Sequence, residues 1–236
     1  MTCGRVARAC LFVVFALAAC DASPPRRDIL GTEKKLYSQF DEELIIRDFF
    51  QDRRDGVFLD VGAADPTVDN TTYYLEKHLG WTGVAVDAAP DYGILWQTQR
   101  PRTPFANYLV TDHAGTMDTF YKAGIRTLSS TQKDREWDGK KLDAEEIQVP
   151  SITLNRLLED QGIERLDFLS MDIEESEPQA LAGFDIQRFK PALVCIEAVD
   201  RVRPKIQAYF DAHGYRRIDR YLERDHANWY FEPVPE

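Results

Sequence analysis

The strongest constraint on this chain is a repeated pattern of short apolar runs, each closed by an acidic residue, with helical stretches between them. "VFLD" ends at Asp60, "GVAVD" at Asp87, "LVTD" at Asp112, "FLSMD" at Asp172 and "VCIE" at Glu197. Apolar runs of about four to eight residues bounded by turn signals read as strands buried on both faces. Between them, "NTTYYLEKHLG", "YGILWQTQR", "SITLNRLLEDQG", "EPQALAGFD" and "RPKIQAYFDAHG" read as helices. Asn70 or Thr71, and Ser151 or Thr153, are candidate caps, Pro178 suits a first turn, and Gly80 and Gly214 are stops. Alternating strands and helices predict an α/β domain with a mostly parallel sheet covered on both faces. "YRRIDRYL" and "NWYFEPV" alternate and predict a closing antiparallel hairpin.

The 236 residues fit one domain, expected over 56–236, plus a short extension. "EKKLYSQFDEELIIRDFF" places apolar residues at Leu36, Phe40, Leu44, Ile45 and Phe49, a helical spacing over 33–50 within an extension covering 21–55. "FANYLVTD" reads as a third strand and "TMDTFYKA" as a further one, while the polar stretch 124–147 reads as a long loop with some helix. Arg5, Arg8, an apolar run and small residues over 1–20 have the layout of a secretory signal, and "LAAC" at Cys20 resembles a bacterial lipobox. That predicts a lipoprotein-like chain, membrane-associated through its N-terminus at the inner membrane or in the periplasm. The alternative is an uncleaved or misassigned start and a cytoplasmic domain. Cys3, Cys10 and Cys20 fall in that segment, so Cys195 alone remains for the globular part and no disulfide is expected there. A net charge of -11 repels phosphate backbones and argues against general nucleic-acid binding.

In open α/β sheets, ligands bind beyond the carboxyl ends of the strands, where the acidic residues of this pattern fall. Asp87, one helix and one strand beyond Gly62, suits the two hydroxyls of a ribose. Gly62 allows close backbone approach, and a helix beginning at Asn70 offers free N–H groups and a positive dipole end. A single glycine in "DVGAADP" favours a nucleoside cofactor over a dinucleotide, whose pyrophosphate wants a more glycine-rich loop. His78, His213 and His226 show no metal-ligand spacing, and no Ser–His–Asp order or nucleophile elbow is present.

"FLDVGAADP…NTTYYLEKHLGWTGVAVDAAP", then "SITLNRLLEDQGIERLDFLSMDIEESEPQALAGFD" and "ALVCIEA", resemble in order the motifs of the FkbM-type family of S-adenosylmethionine-dependent methyltransferases. The likeness runs from Gly56 to Glu236. It implies a Rossmann-like class I methyltransferase fold, with a seven-stranded sheet, and methyl transfer to oxygen on a sugar or other polar small-molecule acceptor. Asp60, Gly62 and Ala63 are implied at the methionine part of the cofactor, with Asp65 and Asn70 in the same loop. Asp87 and its neighbour Ala88 are implied at the ribose, and Asp112 near the adenine. Asp172 and Glu174 match an acidic pair, and either is a candidate base; His113 is an alternative. The same carboxylates can instead hold a divalent metal that aligns acceptor hydroxyls. Glu175 and Glu177 read as first-turn acids favoured by the helix dipole. Two departures stand out. Asp65 and Pro66 replace glycine, and Glu175–Ser176 replace the Gly-Ala of the family's Asp-x-Glu-Gly-Ala-Glu. Those departures and the leader keep a second reading open, a membrane-tethered binding module without catalysis. Oligomeric state is not readable from the sequence.

Overall fold

The computed structural model describes residues 25–123 and 143–235, together with Met1 and the short stretches 130–132, 136–137 and 140–141. The targeting segment expected over 1–20, with Cys3, Cys10 and Cys20, lies outside the described residues. Among the described residues, no helix is long and apolar enough to cross a membrane.

The chain enters through α1 (Ile29–Thr32) and α2 (Glu42–Phe50), then runs β1 (Val57–Val61), α3 (Tyr73–Leu79), β2 (Thr82–Asp87), α4 (Gly93–Gln99) and β3 (Phe105–Asn107). Next come β4 (Leu109–Val110), β5 (Met117–Ala123), β6 (Glu136–Trp137), β7 (Lys140–Lys141) and β8 (Ala144–Ile152). The second half is α5 (Leu154–Asp160), β9 (Phe168–Met171), α6 (Glu177–Ala182), α7 (Ile186–Phe189) and β10 (Leu193–Glu197). It closes with α8 (Arg203–Ala212), β11 (Tyr215–Arg217) and β12 (Asn228–Pro233). The main sheet has seven strands in the order β11-β12-β10-β9-β1-β2-β3. Its neighbours pair in parallel except β12, which is antiparallel to both β10 and β11. The closing hairpin expected from the sequence is therefore present, with its second strand threaded between β10 and β11.

Register explains why the strands read as continuous apolar runs. Leu59, Leu169 and Val194 lie side by side across β1, β9 and β10, as do Val61, Met171 and Ile196. They belong to one core that takes in the buried residues of α5, α6, α7 and α8. Phe58, Phe168 and Leu193 line up on the other face, packing with Ile45, Ile46, Leu75 and Trp81 from the α2 and α3 side. Both faces are covered, and each fully buried large apolar side chain contributes about 1.5–3 kcal/mol of transfer free energy. Cys195 is buried on the second face, and burial holds its thiol well above the usual range, as expected of an inert core cysteine.

Four expectations are corrected. The helix expected over 33–50 begins only at Glu42. Its two leading glutamates are buried and turn back on the preceding chain: Phe40 N–H donates to Glu42 (2.6 Å), and Leu36 and Tyr37 N–H donate to Glu43 (3.0–3.2 Å). Those amides are committed to carboxylates, so they cannot serve a helix. The third strand splits at Tyr108. Phe105–Asn107 stays in the main sheet, while Leu109–Val110 joins a three-stranded sheet with β8 and β5. The stretch expected as loop ends in β8, antiparallel to β5 from Met117↔Pro150 to Ala123↔Ala144. Glu145, Glu146 and Pro150 hide that strand from a periodicity argument. At the caps, α3 starts at Tyr73 rather than at Asn70 or Thr71, and α5 is capped by Thr153, whose hydroxyl accepts from Arg156 N–H (3.2 Å).

Burial is the main cause that pushes the Glu42 carboxyl up to about 7. A raised acid favours the folded state below its unfolded pKa, and this contribution is lost as pH rises through the folded value. Stability is therefore expected to fall between about pH 4.5 and 7, by at most about 1.4 kcal/mol per pH unit from this group. Urea titrations across that range are expected to show a shallower slope for Glu42→Gln.

Candidate active site

At the carboxyl edge of the main sheet lies a cavity of about 660 Å³. One end is bounded by Gly62, Ala64, Asp65, Asp87, Ala88 and Tyr92. Tyr108, Leu109 and Val110, with Phe120 from β5, form an apolar side. The other end carries Asp172, Ile173, Glu174, Ser176 and Glu197, with Asn228 beside them. Gln39 and Phe40, from the segment before α2, reach the rim.

The loop after β1 is shaped by tight contacts. Gly62 has φ +77°, and a Cβ there would sit 1.8 Å from the carbonyl oxygen of Asp172. The N–H groups of Gly62 and Ala63 both donate to Val86 O, at 2.9 and 3.2 Å. Ala64, at φ +43°, is held by its own N–H to Asp87 Oδ2 (3.0 Å) and by Trp96 Nε1–H to its carbonyl (2.9 Å). Asp87 Oδ1 accepts from Ala89 N–H (2.7 Å), so two amides fix this carboxylate on the cavity wall. Burial is the larger influence and raises its pKa to about 6. Asp65 Oδ1 accepts from Thr67 and Val68 N–H, both at 2.9 Å, forming an Asx-type turn. Besides Gly62, the positive-φ positions of the loop are thus Ala64 and Asp69, whereas the aspartate that stands where glycine is expected serves as turn acceptor.

Beneath this loop lies a buried polar network. Asp60 projects to the α3 side of the sheet, where its carboxylate accepts from Thr72 Oγ1 (2.6 Å) and Asn70 Nδ2 (3.3 Å). Burial raises its pKa. Arg100, 1% exposed, donates to Glu76 Oε2 (2.6 Å), Asn70 Oδ1 (2.9 Å), Thr72 Oγ1 (3.1 Å) and Pro66 O (3.3 Å), and lies over the Trp96 ring. Its Nη2 has no hydrogen-bond partner among the described residues.

The far wall is set by two consecutive left-handed residues, Glu174 at φ +58° and Glu175 at φ +73°. Glu175 occupies the place of the family's glycine. Its charge is turned away from the cavity into an ion pair with Arg201. Glu177 opens α6, as expected of a first-turn acid, but it does not face solvent. It is fully buried, and its Oε1 accepts from Ile173 (3.0 Å) and Glu175 (3.3 Å) N–H. Burial first, with Asp172 adding to it, pushes its carboxyl up to about 7. Asp172, Glu177 and Glu197 each place a carboxylate oxygen within 4.8 Å of the others'.

Of the residues singled out from the sequence, Gly62, Asp65, Asp87, Ala88, Asp172 and Glu174 come together on this wall. Asp60, Ala63 and Asn70 are buried behind it. Asn70 Oδ1 accepts from Thr72 N–H (3.0 Å), just before the first turn of α3. Asp112 and His113 do not line the cavity. They are exposed and paired with each other (2.7 Å), and His113 Nε2 contacts Asp118 (2.7 Å), which together raise the imidazole pKa. Thr131 touches the cavity and bonds to Ser176 Oγ (2.9 Å). Sequence reasoning missed the cavity's aromatic side, and it missed Glu177 and Arg100. Glu197 was visible as a strand-end acid but had no assigned partner.

An open sheet in this order, with one antiparallel strand next to the edge, is the sheet of the Rossmann-like class I methyltransferase fold. The methyltransferase FkbM domain model matches residues 60–228, and the chain belongs to that family. It is 26% identical over 144 residues to the Methyltransferase sdnD of Sordaria araneosa, a match that covers 58% of this chain and about half, 52%, of that relative. Among solved structures, a TehB-like SAM-dependent methyltransferase from Corynebacterium glutamicum has 12% identity and a TM-score of 0.47, covering 86% of this chain and 91% of its own. A 1,6-didemethyltoxoflavin-N1-methyltransferase of Burkholderia thailandensis, with bound S-adenosylhomocysteine, has 15% identity and a TM-score of 0.38, covering 82% and 77%.

Two outcomes follow from the loop geometry. Arg100→Ala leaves buried Asp60 without its nearby cation and Glu76 with only the exposed Arg102, and is expected to cost about 3–5 kcal/mol in urea unfolding. Arg100→Lys is expected not to restore it, because an ammonium cannot reach four acceptors at fixed angles. Glu175→Gly relieves a left-handed residue by about 1 kcal/mol and loses a surface pair of similar size or less. It is expected to melt no lower than the wild type, whereas Glu175→Val is expected to melt lower.

Proposed function

We propose that this chain uses S-adenosylmethionine to methylate an oxygen of a small hydroxylated acceptor, a sugar or comparable polar metabolite. One observation carries the reading: a single cavity wall runs from a fixed strand-end carboxylate, Asp87, flanked by apolar side chains, to the acids Asp172 and Glu174. The residues suit such a donor. Asp87 is held in place by two amides and can accept from two ribose hydroxyls. Tyr92, Leu109 and Phe120 offer an apolar slot for a flat base, and the Gly62–Ala64 backbone offers close approach to the amino-acid portion.

S-adenosylmethionine, when bound, supplies an electrophilic methyl group on a cationic sulfur. The chain's own contribution is alignment, on which an in-line displacement depends, together with removal of the acceptor's proton. Asp172 and Glu174 are the groups on the acceptor end that can take that proton. The acidic wall disfavours anionic acceptors and favours neutral polyols.

Calorimetry with S-adenosylhomocysteine tests the donor half. Asp87→Ala is expected to weaken binding by about 10–100-fold, the size of a lost hydrogen bond to a charged group. Because the carboxylate form accepts both hydroxyls, affinity is expected to rise with pH through about 6 and to lose that rise in Asp87→Asn. Absence of binding at millimolar ligand overturns the reading. Methyl-labelled donor, offered with neutral sugars and with sugar phosphates, tests the acceptor half.

A further inference from the structure

We propose that Asp172, Glu177 and Glu197 form a site for a hard divalent cation, magnesium, manganese or calcium, at the acceptor end of the cavity. Each offers one carboxylate oxygen, and the three oxygens lie within 4.8 Å of one another. Oxygens that share such a cation at about 2.0–2.6 Å stand no more than about 4–5 Å apart, so the spacing suits a common ion. The three acids come from the end of β9, the first turn of α6 and the end of β10. It is the parallel pairing of β9 with β10 that brings them together.

A second observation points the same way. Glu177 is 0% exposed and has one oxygen committed to the amides of Ile173 and Glu175. Its other oxygen, Oε2, has no hydrogen-bond partner among the described residues. A fully buried carboxylate with an unmatched oxygen is costly, and a cation supplies the missing interaction. The neighbouring Arg201 is engaged by Glu175. Asp172 is exposed on the cavity side, which leaves coordination positions open to water or to acceptor oxygens. An all-oxygen donor set selects hard ions over zinc or copper. The cation's use, gripping two neighbouring oxygens of an acceptor while Glu174 rather than Asp172 takes the proton, rests on the methyltransferase reading; its binding does not.

The test is titration of the purified full chain with manganese, followed by the paramagnetic resonance of the free ion. One ion per chain is expected, with a dissociation constant of about 10⁻⁵–10⁻³ M. At least about tenfold weakening is expected in Glu197→Gln and Glu177→Gln, in line with loss of one charged ligand. Glu177→Gln also disturbs two backbone amides, so Glu197→Gln and Asp172→Asn decide the matter if it fails to fold; circular dichroism reports folding. No stoichiometric manganese binding at about 1 mM, or wild-type affinity in Glu197→Gln, overturns the site. S-adenosylhomocysteine binding is measured on the same samples without metal. A chain that binds manganese but not that ligand keeps the cation site and removes the donor reading, so the two fail separately.

Discussion

The buried guanidinium of Arg100 is the constraint on which the site depends. It holds Glu76, Asn70, Thr72 and the carbonyl of Pro66 at once, and Asp60 is tied to the same network through Asn70 and Thr72. Each of these groups is buried, so each would be expensive without the others. The result is a loop after β1 that is fixed from below, leaving its upper surface to face the cavity. Asp60 therefore shapes the site while never reaching its wall.

Backbone strain marks both ends of the cavity. Ala64 adopts a positive φ on one side, and Glu174 and Glu175 adopt it on the other. Non-glycine residues stay in such conformations only where their surroundings over-determine them. Asp87 and Trp96 do this for Ala64, and the Glu177 carboxylate does it for the turn at Glu175. The departures from the family pattern are thus compensated in place. Asp65 supplies a turn acceptor, and the additional charge of Glu175 is matched by Arg201.

The small sheet of β4, β8 and β5 supplies what the main sheet lacks. Leu109, Val110 and Phe120 from it form the apolar side of the cavity, opposite a rim of carboxylates. One pocket thus combines an apolar flank with an acidic end. Fold family alone does not specify such an arrangement, since function resides in the site.

Much of this was readable from residue order. Periodicity located the strands of the main sheet, because a strand buried on both faces must be apolar throughout. Acidic residues at the strand ends located the cavity edge, because ligands bind there in any open α/β sheet. Local chemistry also marked Gly62 and Asp87. What residue order left open depends on contacts between distant segments. Glu177 resembles any exposed acid at a helix start until β9 and β10 pair and enclose it. Asn70 resembles a helix cap, and nothing near it in the sequence shows that its oxygen also holds Arg100, thirty positions away. Asp112 and His113 sit at the end of an apolar run, but that run leaves the main sheet at Tyr108 and carries them outside the wall. In each case the deciding quantity is burial, which belongs to the packed chain and to no local stretch of it.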